Sequence, residues 1–179
     1  MNYKIRKAVN EDAKQIAVVH VDSWRTTYTG IVADAYLESL TYESREKRWQ
    51  SIDPNSVFVA ENDKGQIVGF AGFGPERTKE HGFDGELYAI YLLKEVQRTG
   101  IGRRLVKAVA DELIRKNYQS MLLWVMNANP SKGFYERFSP EKITEDVYTI
   151  EGTGHQETAL GWRDLPKLSA ALKRKEGSL

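Results

Sequence analysis

The sequence predicts a mixed α/β fold: one domain organised on a central mixed sheet. Two observations predict it. Glu86 to Met126 reads as strand, helix, strand, with an apolar run (Glu86 to Leu93), an amphipathic run (Gly100 to Lys116) and a nearly continuous apolar run (Ser120 to Met126). Such a unit closes as a right-handed parallel crossover. On either side, short strand-like runs are joined by Asn62-Asp63-Lys64-Gly65 and Glu151-Gly152-Thr153-Gly154, turn residues that imply antiparallel hairpins. A length of 179 residues favours one domain. It is taken as residues 1–165, followed by a basic tail over 166–179.

Tyr3 to Ala8 alternates and reads as the first strand. Asn10 is the expected N-cap of helix one, with Glu11 and Asp12 in its first turn, where negative charge is favoured. Ala13, Ile16, Ala17, His20 and Trp24 follow at helical spacing, so the helix is drawn over Glu11 to Ser23. Thr26 to Gly30 breaks the pattern, and two further helical runs follow, Ala33 to Leu40 and Tyr42 to Gln50. After the turn at Asp53-Pro54-Asn55, Val57 to Ala60 and Gln66 to Gly74 form a hairpin. The glycines at 69, 72 and 74 would weaken the second strand and mark a close approach by backbone or substrate. Pro75 to Gly85 is polar and is drawn as a loop. The crossover helix carries Ile101, Leu105, Ala108, Val109 and Leu113 on one face. Pro130 fits the first turn of a helix over Ser131 to Phe138. Val147 to Ile150 and Thr158 to Trp162 close the sheet.

Composition narrows the chemistry. A net charge of +1 gives no global argument for nucleic acid or membrane. There is no cysteine, so disulfides, thiolate nucleophiles and cysteine zinc sites are excluded. His20, His81 and His155 lie far apart without metal-ligand spacing, and no metal is expected. No apolar run reaches the roughly 20 residues that cross a bilayer, and the N-terminus lacks a signal-peptide core, so the expected location is cytoplasmic.

The most informative stretch runs from Val96 to Leu105. Gly100 and Gly102 stand between a strand and a helix, where free first-turn N–H groups and the positive end of the helix dipole suit an anion. Gln97-Arg98-Thr99-Gly100-Ile101-Gly102 resembles the Q/R-x-x-G-x-G/A pyrophosphate turn of the GNAT acetyltransferase superfamily. Asn129-Pro130-Ser131-Lys132-Gly133-Phe134-Tyr135-Glu136-Arg137 resembles its "N…FYE" helix, and Leu160 to Leu165 its closing strand. The first motif alone is weak, whereas the pair, with a buried strand between, is strong. Phe138-Ser139-Pro140 departs from the family, in which glycine commonly ends this helix.

The resemblance implies a mostly antiparallel sheet with a V-shaped splay, helices on both faces, and acetyl-CoA held in the splay. It also implies transfer of the acetyl group to a primary amine of a small molecule or peptide, by direct attack in a ternary complex. Carried over, backbone groups of Ile90, Tyr91 and Leu92 pair with the pantetheine, and Gln97, Arg98, Thr99, Gly100, Ile101, Gly102 and Arg103 hold the pyrophosphate. Asn129 contacts the cofactor arm, and Phe134 flanks the thioester. Tyr135 is the candidate acid for the departing thiolate, because a phenol with a pKa near ~10 stays protonated at neutral pH. Glu86 is the candidate base, directly or through water, and a backbone N–H near Leu92 the candidate oxyanion donor. Trp24 and Tyr28 are candidate substrate contacts that would hold an alkyl ammonium by cation–π attraction. His20, on an apolar face, is read as a core histidine.

Two other function classes share parts of this pattern. A GNAT-like module that binds acyl-CoA without transferring is disfavoured by the intact turn together with Tyr135. A dinucleotide-binding domain fails because Leu105 stands where its third glycine belongs. The acceptor's identity and the oligomeric state stay open, with the outer strands and the tail as candidate homodimer surfaces.

Overall fold

A computed structural model describes residues 2–173. Seven strands form one sheet in the order β1-β2-β3-β4-β5-β7-β6. β1 (Tyr3–Lys7), β2 (Val57–Asn62), β3 (Ile67–Pro75) and β4 (Gly85–Leu92) make an antiparallel half. β5 (Met121–Met126), β7 (Thr153–Trp162) and β6 (Glu141–Ile150) make a second. The halves meet in parallel at β4 and β5 through only two register pairs, Gly85 with Met121 and Glu86 with Leu122. From there the strands diverge, and the rest of β4 has a sheet partner on the β3 side alone. This divergence is the expected splay.

Helices cover both faces. α1 (Ala13–Thr27) and α3 (Tyr42–Gln50) seal one face, where Ile16, Val19 and Trp49 pack on Val57, Val59 and Phe70. The short α2 (Asp34–Ser39) brings Leu37 against Val21, Trp24 and Tyr28. α4 (Ile101–Arg115) and α6 (Leu165–Lys173) cover the other face, and α5 (Lys132–Glu136) follows β5. The buried face of α4 holds Ile101, Leu105, Val106, Val109, Ala110 and Leu113. Val106 and Ala110 replace the expected Ala108, which is half-buried.

Several expectations are corrected. Asn10 lies in a 3-10 turn rather than capping α1, and the first-turn carboxylate does other work: Asp12 accepts from Val9 N and from the Arg6 guanidinium at 2.6 Å. α1 runs through Thr27, four residues past the expected end, because burial of Trp24 on the core outweighs the low helix propensity of two threonines. β6 and β7 extend far beyond the expected Val147 to Ile150 and Thr158 to Trp162, since pairing across Asp146–Glu157 and Tyr148–His155 needs no apolar pattern in an exposed hairpin. α5 is shorter than expected and ends at Glu136. Ser139 then takes the left-handed conformation (φ +50°) that glycine usually supplies. The basic tail, whose sequence allows either a helix or fraying, begins as a helix over Leu165 to Lys173, with Leu165, Leu168 and Leu172 buried against the α4 face. The remainder of that segment, 174–179, lies outside the described residues.

Two of the three β3 glycines, Gly69 and Gly74, mark a close approach, chiefly by side chains of β4, whereas a Cβ at Gly72 would meet only Trp49, at 3.8 Å. A Cβ at Gly69 would collide with Leu92 Cδ2, and one at Gly74 would lie 2.5 Å from the Tyr88 hydroxyl. The loop from 76 to 84 is firmly tied. The buried carboxylate of Glu76 accepts from Thr78 N (2.9 Å), Thr78 Oγ1 (2.8 Å) and Lys79 N. Asp84 binds Gln119 N at 2.7 Å.

Candidate active site

The turn from Gln97 to Gly102 has the geometry its residue types suggest. Thr99 Oγ1 donates to Val96 O at 2.6 Å and closes the turn that follows β4. Arg98 (φ +61°) and Gly100 (φ +85°) are both left-handed, and Gly100 is the N-cap of α4. A left-handed residue with a side chain costs about 1–2 kcal/mol, a cost borne here at Arg98. Alternating hands turn successive N–H groups toward one side, which makes an anion-binding concavity. The first helical hydrogen bond is Arg104 N to Gly100 O, so the N–H groups of Ile101 and Gly102 have no partner within the helix. Arg104 itself reaches Tyr3 O at 2.8 Å and ties α4 to β1.

The exposed edge of β4 leads to this turn. Leu93 N donates to Val68 O, so the hydrogen-bonded positions facing β3 include Leu93 and Tyr91. Strand alternation therefore aims the backbone groups of Ile90 and Leu92 into the splay. Of the three residues expected to line it, Tyr91 contributes its side chain instead, stacked on His20 at 5.4 Å. The Leu92 carbonyl accepts from Ser23 Oγ at 3.0 Å, which pins α1 to the end of β4.

From the other half come Asn129, Phe134 and Tyr135. Asn129 Oδ1 accepts from Ser131 N at 2.8 Å and caps the start of α5. Its Nδ2 donates to Tyr28 Oη at 3.1 Å, a bond that joins α1 to the turn after β5 across the splay. Phe134 packs edge-on against Tyr135 and Phe138. Tyr135 is 7% exposed. Burial, and then the neighbouring Tyr28, push its ionisation well above the usual value of 10, so it remains a proton carrier across the working pH range.

Trp24 and Tyr28 are 8% and 5% exposed, and their rings pack on each other at 4.4 Å. They meet Val32, Leu37, Met126 and Ile150 in a small core, so they present edges and polar atoms more than open ring faces. His20 is the core histidine the pattern suggested. Its Nδ1 accepts from Trp49 Nε1 at 3.1 Å, and burial, aided by Arg45 and Arg48, depresses its pKa to about 3.

Glu86 stands at the closed end of the splay, opposite Leu122, and is 1% exposed. Arg77 covers it: Nη2 lies 2.5 Å and Nε 3.1 Å from Oε1, while Arg77 N donates to Oε2 at 3.1 Å. The Arg77 guanidinium also lies over the Tyr88 ring at 4.8 Å. Glu157 of β7 is half-buried and pairs in register with Asp146. Burial, then Asp146, raise its carboxyl pKa, while Arg77 opposes the rise. Arg77 and Glu157 escape sequence reasoning because one lies in a loop without periodicity and the other in an exposed hairpin. Only the three-dimensional register joins them to Glu86.

The sequence profile of the Acetyltransferase (GNAT) family matches residues 19–139. The chain is 49% identical over 170 residues to the N-acetyltransferase YuaI of Bacillus subtilis, covering 95% of this chain and 98% of that one. It superposes on the PaiA N-acetyltransferase of Thermoplasma acidophilum in complex with coenzyme A with a TM-score of 0.65 and 23% identity, over 88% and 98% of the two chains. For the acetyltransferase YncA of Salmonella typhimurium with acetyl-CoA, the TM-score is 0.68 and the identity 17%, over 99% and 98%. Identities this low establish a shared fold.

Proposed function

Because the chain belongs to the GNAT acetyltransferase family, it is an acetyl-CoA-dependent N-acetyltransferase, and we propose that it acetylates a primary amine of a small molecule or peptide by direct attack in a ternary complex. The observation that carries this reading is the juxtaposition of an unpaired β4 edge with the left-handed turn on α4. That edge offers Ile90 and Leu92 backbone groups to the pantetheine amides. The amides around Arg98 to Arg103 take the pyrophosphate, and the second Nδ2 hydrogen of Asn129 is left for the cofactor arm.

Each residue then has a separable role. The Leu92 N–H polarises the thioester carbonyl. Tyr135 hydrogen-bonds the departing sulfur and supplies its proton. Glu86 removes the amine's proton through water, because its carboxylate is covered by Arg77 at the far end of the splay. Phe134 closes the thioester against solvent, and the edges of Trp24 and Tyr28 bound the acceptor side.

The test is release of free thiol from acetyl-CoA in the presence of a panel of primary amines, among them polyamines, amino acids and peptide N-termini. Thiol release that depends on an amine is expected. Saturable acetyl-CoA binding with no release across the panel would instead favour a module that senses acyl-CoA.

A further inference from the structure

Every hydrogen bond to the Glu86 carboxylate comes from one residue. Arg77 N donates to Oε2 at 3.1 Å, and the Arg77 guanidinium donates to Oε1 through Nε at 3.1 Å and Nη2 at 2.5 Å. The two oxygens are held in different ways. The backbone of Arg77 is fixed from both sides. Glu76 N donates to Asp84 O at 3.0 Å, and the buried Glu76 carboxylate accepts from Thr78 N at 2.9 Å and from Lys79 N. Oε2 therefore has a rigid donor.

The donor on Oε1 is not rigid. Among the described residues the guanidinium hydrogen-bonds Glu86 alone, and it lies over the Tyr88 ring at 4.8 Å. The Arg77 side chain is 60% exposed, against 2% for that of Glu86. Rotation about its own bonds carries the guanidinium into solvent and leaves the Arg77 N–H on Oε2. The arrangement can thus uncover the carboxylate without releasing it.

That matters for a base. Two N–H groups fill Oε1, and Glu86 is closed to solvent. A guanidinium is not deprotonated in proteins, so while it sits there it satisfies Oε1 and yields no proton. An alkylamine, with a pKa near ~10, arrives as an ammonium, which does have a proton to give. Two cations beside one carboxylate oxygen repel each other, and the one with solvent behind it is the guanidinium. We propose that the Arg77 guanidinium is a displaceable cover, driven off Glu86 Oε1 by the acceptor's ammonium, and that its seat passes to the water that carries the amine's proton. The proposal rests on the preceding reading of Glu86 as the base.

The proton step balances. An N–H bond of the ammonium breaks, nitrogen keeps the electron pair, and the proton passes to the water. The water gives one of its own protons to Oε1. Ammonium and carboxylate become amine and carboxylic acid, and Arg77 keeps all its hydrogens.

NMR of the Arg77 Nε–H reads the cover directly. The full chain carries arginine labelled with nitrogen-15 at Nε and is saturated with CoA, so nothing turns over. The signal is assigned by its absence from Arg77→Lys. Its exchange with solvent should quicken about tenfold or more at a saturating concentration of the best acceptor in the amine panel, the scale of one charge-assisted hydrogen bond lost. In Arg77→Ala the KM for that amine should fall by about tenfold, because the same bond no longer has to be broken, with kcat changed less. Arg77→Lys should show a smaller fall and serves if the alanine variant does not fold. An exchange rate that the amine does not move, or an amine KM that is unchanged or higher in the folded variant, overturns the proposal. Undiminished turnover in Glu86→Gln overturns the reading beneath it, a separate result on a variant that leaves Arg77 in place.

Discussion

Gly100→Trp separates the turn's role in binding from its role in folding. Gly100 has φ +85°, and a Cβ built there meets nothing within 4 Å. The substitution therefore introduces backbone strain without a collision. Strain of about 1–2 kcal/mol is expected for a side chain in the left-handed region. At about 2–4 °C per kcal/mol for a domain of this size, the melting temperature should fall by about 2–8 °C. The indole would occupy the space in front of the α4 amides that an anion needs. At a hundred times its dissociation constant, acetyl-CoA should stabilise the wild type by about 2.7 kcal/mol, or about 5–11 °C. The variant should show no such rise. Differential scanning fluorimetry, with and without acetyl-CoA, reads both effects. An unchanged ligand-induced rise in the variant would refute the turn as the anchor. A collapse well beyond about 8 °C would refute the claim of open space.

Three further outcomes are expected. Tyr135→Phe should lower kcat by about 10²-fold or more, the scale of general acid catalysis, while leaving the acetyl-CoA dissociation constant within a few-fold; equal turnover would remove the acid role. Glu86→Gln should lower kcat more than it changes KM for the amine, and a change confined to KM would make Glu86 a binding residue. Glu112, 8% exposed, is held to a pKa of about 2, first by the Arg115 guanidinium, with Lys7 assisting and burial opposing. Its folded pKa lies below its unfolded one, so the stabilisation is complete above about pH 4.5 and disappears as pH falls toward 2. Glu112→Gln should therefore cost about 1 kcal/mol at pH 7, allowing for the solvent around its partners. Urea titrations of both proteins at pH 7 and pH 3 should show the gap narrowing; a constant gap would contradict the ion-pair account.

The parts of the molecule legible in the sequence are those with local causes. The Gly100–Gly102 turn, the amphipathic α4 and the apolar β5 each follow from residues a few positions apart, and the limits of α3 were read to the residue. Element lengths depart from the local pattern where distant contacts decide them. Thr26 and Thr27 are helical because Trp24 must reach Tyr28 and Tyr91. Glu141 to Asp146 form a strand because β7 lies beside them. The same holds for the candidate site. Tyr135 and Asn129 stand in a recognisable motif, whereas the pairing of Glu86 with Arg77 and the Tyr28–Asn129 bond, 101 residues apart in sequence, exist only once the two sheet halves meet.

Glycine placement explains why those halves part where they do. Leu92 lies with Cδ2 over Gly69 and with Cδ1 close enough to Gly102 that a Cβ there would sit 3.3 Å away. Its side chain thus fills the angle between β3 and the start of α4, a space that exists because both positions lack a Cβ. Two residues earlier in the turn, Gly100 supplies the left-handed cap. The two glycines of the motif have different work: the first shapes the left-handed turn, and the second lets the helix start approach the strand end. A bulge at Tyr88 opposite Gly72 and Phe73 begins the departure of β4 from β5, two residues after their last pairing. With Leu92 directed onto Gly69 and Gly102, its backbone N–H is left on the open edge, beside the amides of α4. The opening beside β4 and the turn ahead of α4 are therefore one packing solution, and substitutions at Gly69 or Gly102 should disturb both together.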